Sequence, residues 1–155
     1  MNNLTWVIAA YGDEDFRNEM RKIISLQHNG VVKRINTNHQ LHAEWNHLRN
    51  NIPTNPILYV FTDASHLKID NFVFQYRHVN IRVLILGDRS TISPGIRKNS
   101  TRVYYQNLYE MPISDRNDCN QPWVRNRNLC ICRNQLSGVW SLYDFEDEHM
   151  VKPVE

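Results

Sequence analysis

A chain of 155 residues with 41% apolar and 22% charged residues has the balance of one globular domain, which excludes a disordered or fibrous chain. The net charge of +2 is too small to argue for nucleic acid by itself, and no apolar run reaches the roughly 20 residues that span a bilayer. Three cysteines, an odd number, speak against a disulfide framework and for a reducing, cytoplasmic setting.

Trp6 to Ala10 is a short apolar run with no basic segment before it, so it reads as a buried strand and not as a signal peptide. Residues 14–28 place Phe16, Met20 and Ile23 on one helix face, with Asp13 as the N-cap. Gly30 breaks the pattern, and Val31 to Ile35 reads as a second strand. Asn38 is in place to cap a helix carrying Leu41, Trp45 and Leu48, which Pro53 and Pro56 end. Ile57 to Phe61 is the clearest strand, closed by Thr62 and Asp63. Residues 66–78 set Ile69, Phe72, Val73 and Tyr76 at helical spacing, and Ile81 to Leu86 is a strand ending at Gly87-Asp88. Ser93-Pro94 starts a short helical turn, and Val103 to Tyr105 makes a fifth strand.

Strands that are apolar throughout and alternate with helices imply a parallel sheet covered on both faces. The expected fold is α/β, a flavodoxin-like, doubly wound sheet of five parallel strands. It covers residues 1–110, and its ligand site lies at the carboxyl ends of the strands. Residues 111–155 are polar and Arg-rich, then acidic, and read as an irregular extension packed on that domain.

At the third strand the spacing resembles a response-regulator receiver domain. Asp63 stands where that family has its phosphoacceptor, and Asp70-Asn71 follow at the offset of the family's Asp-Gly pair. Gly12-Asp13-Glu14 lies where the family's Mg²⁺-binding acids lie. The resemblance covers residues 4–110. Two switch positions differ. Gly87 replaces the hydroxyl residue after strand four, and Gln106-Asn107 replaces the lysine after strand five. Without that cation, charge added at Asp63 has no ion-pair partner. The resemblance therefore implies a pseudo-receiver, a non-enzymatic signalling module acting by protein–protein contact or as a homodimer. Its pocket is a vestigial one of Asp13, Glu14, Asp63, Gly87, Asp88 and Gln106. No cofactor is expected. If any metal binds, it is Mg²⁺ at Asp13 and Asp63.

Two other readings stand beside it. Asp13, Asp63 and Asp88 are the acids a metal-dependent nuclease or phosphatase would gather at strand ends. The composition also fits a small pathogen- or mobile-element-encoded inhibitor of a host protein. Trp123, Arg125, Arg127 and Arg133 mix aromatic and cation as single-strand binders do, but a charged edge strand explains them more simply, so nucleic acid is not the expected partner. Trp123, Arg125, Arg127, Trp140 and Tyr143 are the interaction candidates, with Trp140 and Tyr143 read as packing residues unless exposed. Cys130-Ile131-Cys132 lacks zinc spacing and fits a strand with small buried side chains, and His39, His42 and His47 read as surface residues.

Overall fold

The alternation of apolar runs and amphipathic segments becomes, in a computed structural model, one eight-stranded sheet with helices on both faces. The structure describes residues 4–62, 66–119 and 129–144, and the backbone of 149–151. The first half follows the expected order: β1 (Trp6–Tyr11), α1 (Glu14–Gln27), β2 (Val32–Ile35), α2 (Asn38–Asn50) and β3 (Ile57–Phe61). Then come α3 (Asp70–Phe74), β4 (Ile81–Gly87), α4 (Pro94–Asn99), β5 (Arg102–Tyr105), a 3₁₀ turn (Leu108–Glu110) and α5 (Ile113–Asp118). Three further strands follow, β6 (Leu129–Asn134), β7 (Trp140–Asp144) and β8 (His149–Val151).

The lateral order is β2-β3-β4-β1-β5-β6-β7-β8, parallel through β5 and antiparallel beyond it. This corrects the five-stranded, flavodoxin-like expectation, in which β1 lies between β2 and β3. Here β1 lies between β4 and β5. The physical reason is that an apolar run specifies a buried strand but not which strand it sits beside. The connections settle the order. From β1 the chain runs to the far edge at β2 over the face that α1 covers. It returns through β3 and β4 to β5 over the other face, covered by α2, α3 and α4. Opposite directions on opposite faces keep parallel crossovers of one hand.

Alternation along β1 divides the core in two. Val7, Ala9 and Tyr11 join α2, α3 and α4 through Leu41, Trp45, Leu48, Phe72, Val73 and Ile96. Trp6, Ile8 and Ala10 pack under Phe16, Met20, Ile23 and Ile24 of α1. Phe72 anchors the larger cluster, its ring 5.2 Å from Trp45, 5.2 Å from Tyr59 and 5.3 Å from Phe61. Helix α3 is shorter than its 66–78 pattern, yet Ile69, Phe72, Val73 and Tyr76 are all buried. Thr37 caps α2 in place of Asn38 and accepts from the Gln40 amide at 3.2 Å.

The segment after residue 110 is less irregular than its composition suggested. It adds α5 and an antiparallel ribbon that extends the same sheet from β5. Cys130 and Cys132 lie buried on β6, facing the α1 side. Burial pushes the Cys132 thiol up to about 11. His39, His42 and His47 are exposed on α2. No helix among the described residues is long and apolar enough to cross a membrane.

Candidate functional site

The carboxyl ends of β1, β4 and β5 meet at one edge of the sheet, and each contributes a polar loop. The Gly12 amide donates to the Gly87 carbonyl at 2.9 Å, and the Gln106 amide donates to the Tyr11 carbonyl at 2.9 Å. The three loops thus continue the ladder one step past the strands. Gly12 has to be glycine because a Cβ would run into the Phe16 ring and come within 2.8 Å of Gln106 Oε1. Gly87 is constrained in the same way by Thr91 and Ile92.

Only two residues, Gly12 and Asp13, join β1 to α1. Asp13 caps the helix, its Oδ1 accepting from the Phe16 amide at 2.9 Å. Its Oδ2 accepts from Gln106 Nε2 at 2.9 Å, while its own amide donates to Gln106 Oε1 at 2.8 Å. Arg17, one turn into α1, donates from Nη1 to the Gly12 carbonyl at 2.8 Å.

Asp88 turns into its own loop. Its Oδ1 accepts from Ser90 Oγ at 2.6 Å, the Ser90 amide at 2.9 Å and the Thr91 amide at 3.1 Å. The hydrogen bond from the Ser90 hydroxyl, with those from the amides, holds the Asp88 carboxyl below the usual carboxylate range. Glu14 is exposed in the first turn of α1.

The acidic pocket expected from the sequence is therefore only partly assembled. Asp13 and Gln106 meet, Gly12 touches Gly87 through the backbone, and Asp88 is committed to closing a turn. Asp63 lies outside the described residues. Among the described residues no three His, Cys, Asp or Glu side chains come together in a metal-binding group.

Of the interaction candidates, Trp123, Arg125 and Arg127 lie outside the described residues. Trp140 and Tyr143 are buried and offer no surface for a partner. Tyr143 sets its ring edge-on to Tyr104 at 5.4 Å, and Trp140 Nε1 donates to Asp118 Oδ2 at 3.1 Å. Arg133 is partly exposed. It pairs with Asp115 at 3.0 Å and Asp118 at 3.3 Å, above the Trp140 ring. Asp115 is buried and also accepts from the Tyr105 hydroxyl at 2.7 Å. Sequence reasoning missed this network because α5 has no apolar periodicity to mark it as a packed element.

No protein-family model matches the chain, and no curated protein matches it. Solved structures do. The chain is similar to the genome packaging NTPase B204 from Sulfolobus turreted icosahedral virus 2 in complex with ATP-γS. The TM-score is 0.65 at 10% identity, over 100% of each chain. It is similar to B204, the DNA-packaging ATPase from Sulfolobus turreted icosahedral virus, with a TM-score of 0.68 at 8% identity over 99% of this chain and 100% of that one. The sulfate complex of the former gives a TM-score of 0.66 at 8% identity, over 100% of this chain and 99% of that one.

These neighbours overturn the receiver resemblance. They also remove the signalling role and the non-enzymatic reading that rested on it, since the proteins that share the fold are NTPases. The receiver spacing arose from acids at strand ends, which any parallel α/β sheet can carry. The nuclease-or-phosphatase and host-inhibitor alternatives find no counterpart among these neighbours.

Proposed function

We propose that this chain is an NTPase domain of the genome-packaging kind, which takes a nucleoside triphosphate at the carboxyl ends of β1, β4 and β5 and acts on nucleic acid. The observation that carries this reading is the similarity over the full length of both chains to packaging NTPases captured with ATP-γS and with sulfate. The helix α1 that starts at these strand ends supports it too. Ligands of open α/β sheets bind beyond the carboxyl ends of the strands, and a helix N-terminus there attracts anions.

The phosphate seat departs from the usual one. The Gly-x-x-x-x-Gly-Lys-Ser/Thr loop that cradles phosphates has no counterpart among the five glycines of the chain. In its place the Asp13 carboxylate already takes the Phe16 amide at the start of α1. An aspartate cap and a phosphate compete for the same donors, so nucleotide binding on this reading requires Asp13 to swing aside. Swinging aside gives up the hydrogen bond that its carboxylate accepts from Gln106 Nε2 at an exposed site, a cost on the order of 1 kcal/mol or less. Arg17 is the cation at hand, one turn into α1. Released from the Gly12 carbonyl, it can meet a phosphate oxygen in bidentate fashion. The protein partner or second copy expected from the sequence fits this reading as the anchor against which a nucleic acid is moved.

The test is phosphate release from ATP by the full chain with Mg²⁺, with and without duplex DNA. Mg²⁺-dependent turnover that DNA stimulates is the expected result. A folded chain that neither binds ATP-γS nor turns over ATP overturns the proposal.

A further inference from the structure

A cavity of about 750 Å³ lies at the opposite end of the sheet, where β1, β4 and β5 begin. Trp6, His28, Asn29, Asn55, Arg82 and Arg102 are among the residues that line it, and none of the described residues that line it is acidic. The two arginines flank the first turn of the central strand. Arg82 on β4 stands beside Trp6, and Arg102 on β5 beside Ile8, so both side chains project to the face under α1.

Both guanidinium groups are held in place. Arg82 is nearly buried, lies over the Trp6 ring at 5.6 Å and donates from Nε to the Leu4 carbonyl at 2.7 Å. Its Nη1 lies 3.1 Å from His28 Nδ1, and His28 Nε2 lies 3.1 Å from the Val31 carbonyl. A carbonyl only accepts and a guanidinium only donates, so Nε2 carries the proton and His28 is neutral. Arg102 donates from Nη1 to the Tyr104 hydroxyl at 3.2 Å and rests over that ring at 5.9 Å.

Arg82 has a structural duty, because it neutralises the carboxyl-terminal end of α1 and ties down Leu4. Arg102 has no such duty. Among the described residues its side chain is bonded only within its own strand, it lines the cavity, and no described carboxylate lines that cavity. Two fixed guanidinium groups and three side-chain amides, with no acid among the described residues around a space of this size, suit a small anion with several oxygens.

We propose that this cavity binds a phosphate-bearing anion of pyrophosphate size or larger, with Arg102 and Arg82 as the charge-bearing contacts. The site is separate from the one proposed at the α1 N-terminus. The experiment is calorimetric titration of the full chain with inorganic pyrophosphate, for wild type and for Arg102→Gln and Arg82→Gln.

Wild type is expected to bind. Arg102→Gln is expected to weaken binding by roughly tenfold or more with an unchanged melting temperature, the loss appropriate to a charge-assisted contact. Arg82→Gln is read only if it folds, and Arg102→Gln carries the test otherwise. A folded wild type that binds no pyrophosphate, or an Arg102→Gln protein that binds it equally, overturns the proposal. With binding in hand, competition by ATP identifies a free nucleotide as the source of the phosphate. Competition by a 5′-phosphorylated oligonucleotide identifies a nucleic-acid strand.

Discussion

Asp13 and Gln106, 93 residues apart, hold each other with two hydrogen bonds of 2.8 and 2.9 Å, and so lock the start of α1 to the end of β5. Asp13 is also the cap of α1, and the two roles separate by mutation. Gln106→Leu removes the clasp alone and is expected to cost about 1 kcal/mol or less, because its atoms stay open to water. Asp13→Ala removes the cap and the side-chain half of the clasp, leaves the backbone amide bond to Gln106, and is expected to cost about 1–2 kcal/mol. Urea unfolding of the two variants orders them, and equal losses would contradict the separation.

Glycine at position 87 is a packing requirement. A Cβ there meets Thr91 Oγ1 and, at 2.9 Å, Ile92 Cγ1, so Gly87→Ala is expected to destabilise by about 1–3 kcal/mol. Gly95 of α4 is the control. A Cβ there meets nothing within 4 Å, and Gly95→Ala is expected to be neutral or to stabilise by up to about 1 kcal/mol. Paired thermal melts decide, and a neutral Gly87→Ala would refute the packing argument.

The contrast shows how much the sequence carried. The apolar runs located β1 to β5, and the spacing of Phe16, Met20 and Ile23 placed α1 and its buried face. The strand ends led to Asp13 and Gln106, which are hydrogen-bonded to each other. Lateral strand order was not legible, because strands buried on both faces carry no mark of their neighbours. Gly87 looked like a lost hydroxyl when read against a receiver. Its actual reason, the approach of Thr91 and Ile92, lies in a loop whose shape no local pattern specifies. Asp115 looked like one more acid in a polar segment and proved to be buried against Tyr105 and Arg133.

That buried acid gives a further test. Asp115 is 5% exposed and is compensated by Arg133 and by the Tyr105 hydroxyl. Arg133→Leu leaves the carboxylate without its cation and is expected to cost about 2–4 kcal/mol, less than a fully enclosed pair because the Arg133 side chain is 24% exposed. Asp115→Asn with Arg133→Leu removes both charges and is expected to recover part of that loss. A double-mutant cycle in urea reads the coupling, and strict additivity would show that the pair is not coupled.

Stability should also respond to acid through His28. Burial, and then the neighbouring Arg82, depress its pKa below the ordinary histidine value. A depressed histidine binds its proton more readily when unfolded. The stability it contributes is present above a pH of about 6.5 and is lost as pH falls below that value. The melting temperature is expected to drop between pH 7 and pH 5, and His28→Gln is expected to flatten that slope. An unchanged slope in the variant would mean that other groups set it.

The claim that the nucleotide seat lies at the start of α1, closed by the protein's own carboxylate, is tested most directly by ATP-γS affinity in wild type and Asp13→Asn. Asparagine keeps the cap and removes the charge that competes with phosphate. The expected result is measurable binding by wild type and binding at least severalfold tighter by Asp13→Asn. Binding by neither protein, with both folded, would contradict the account.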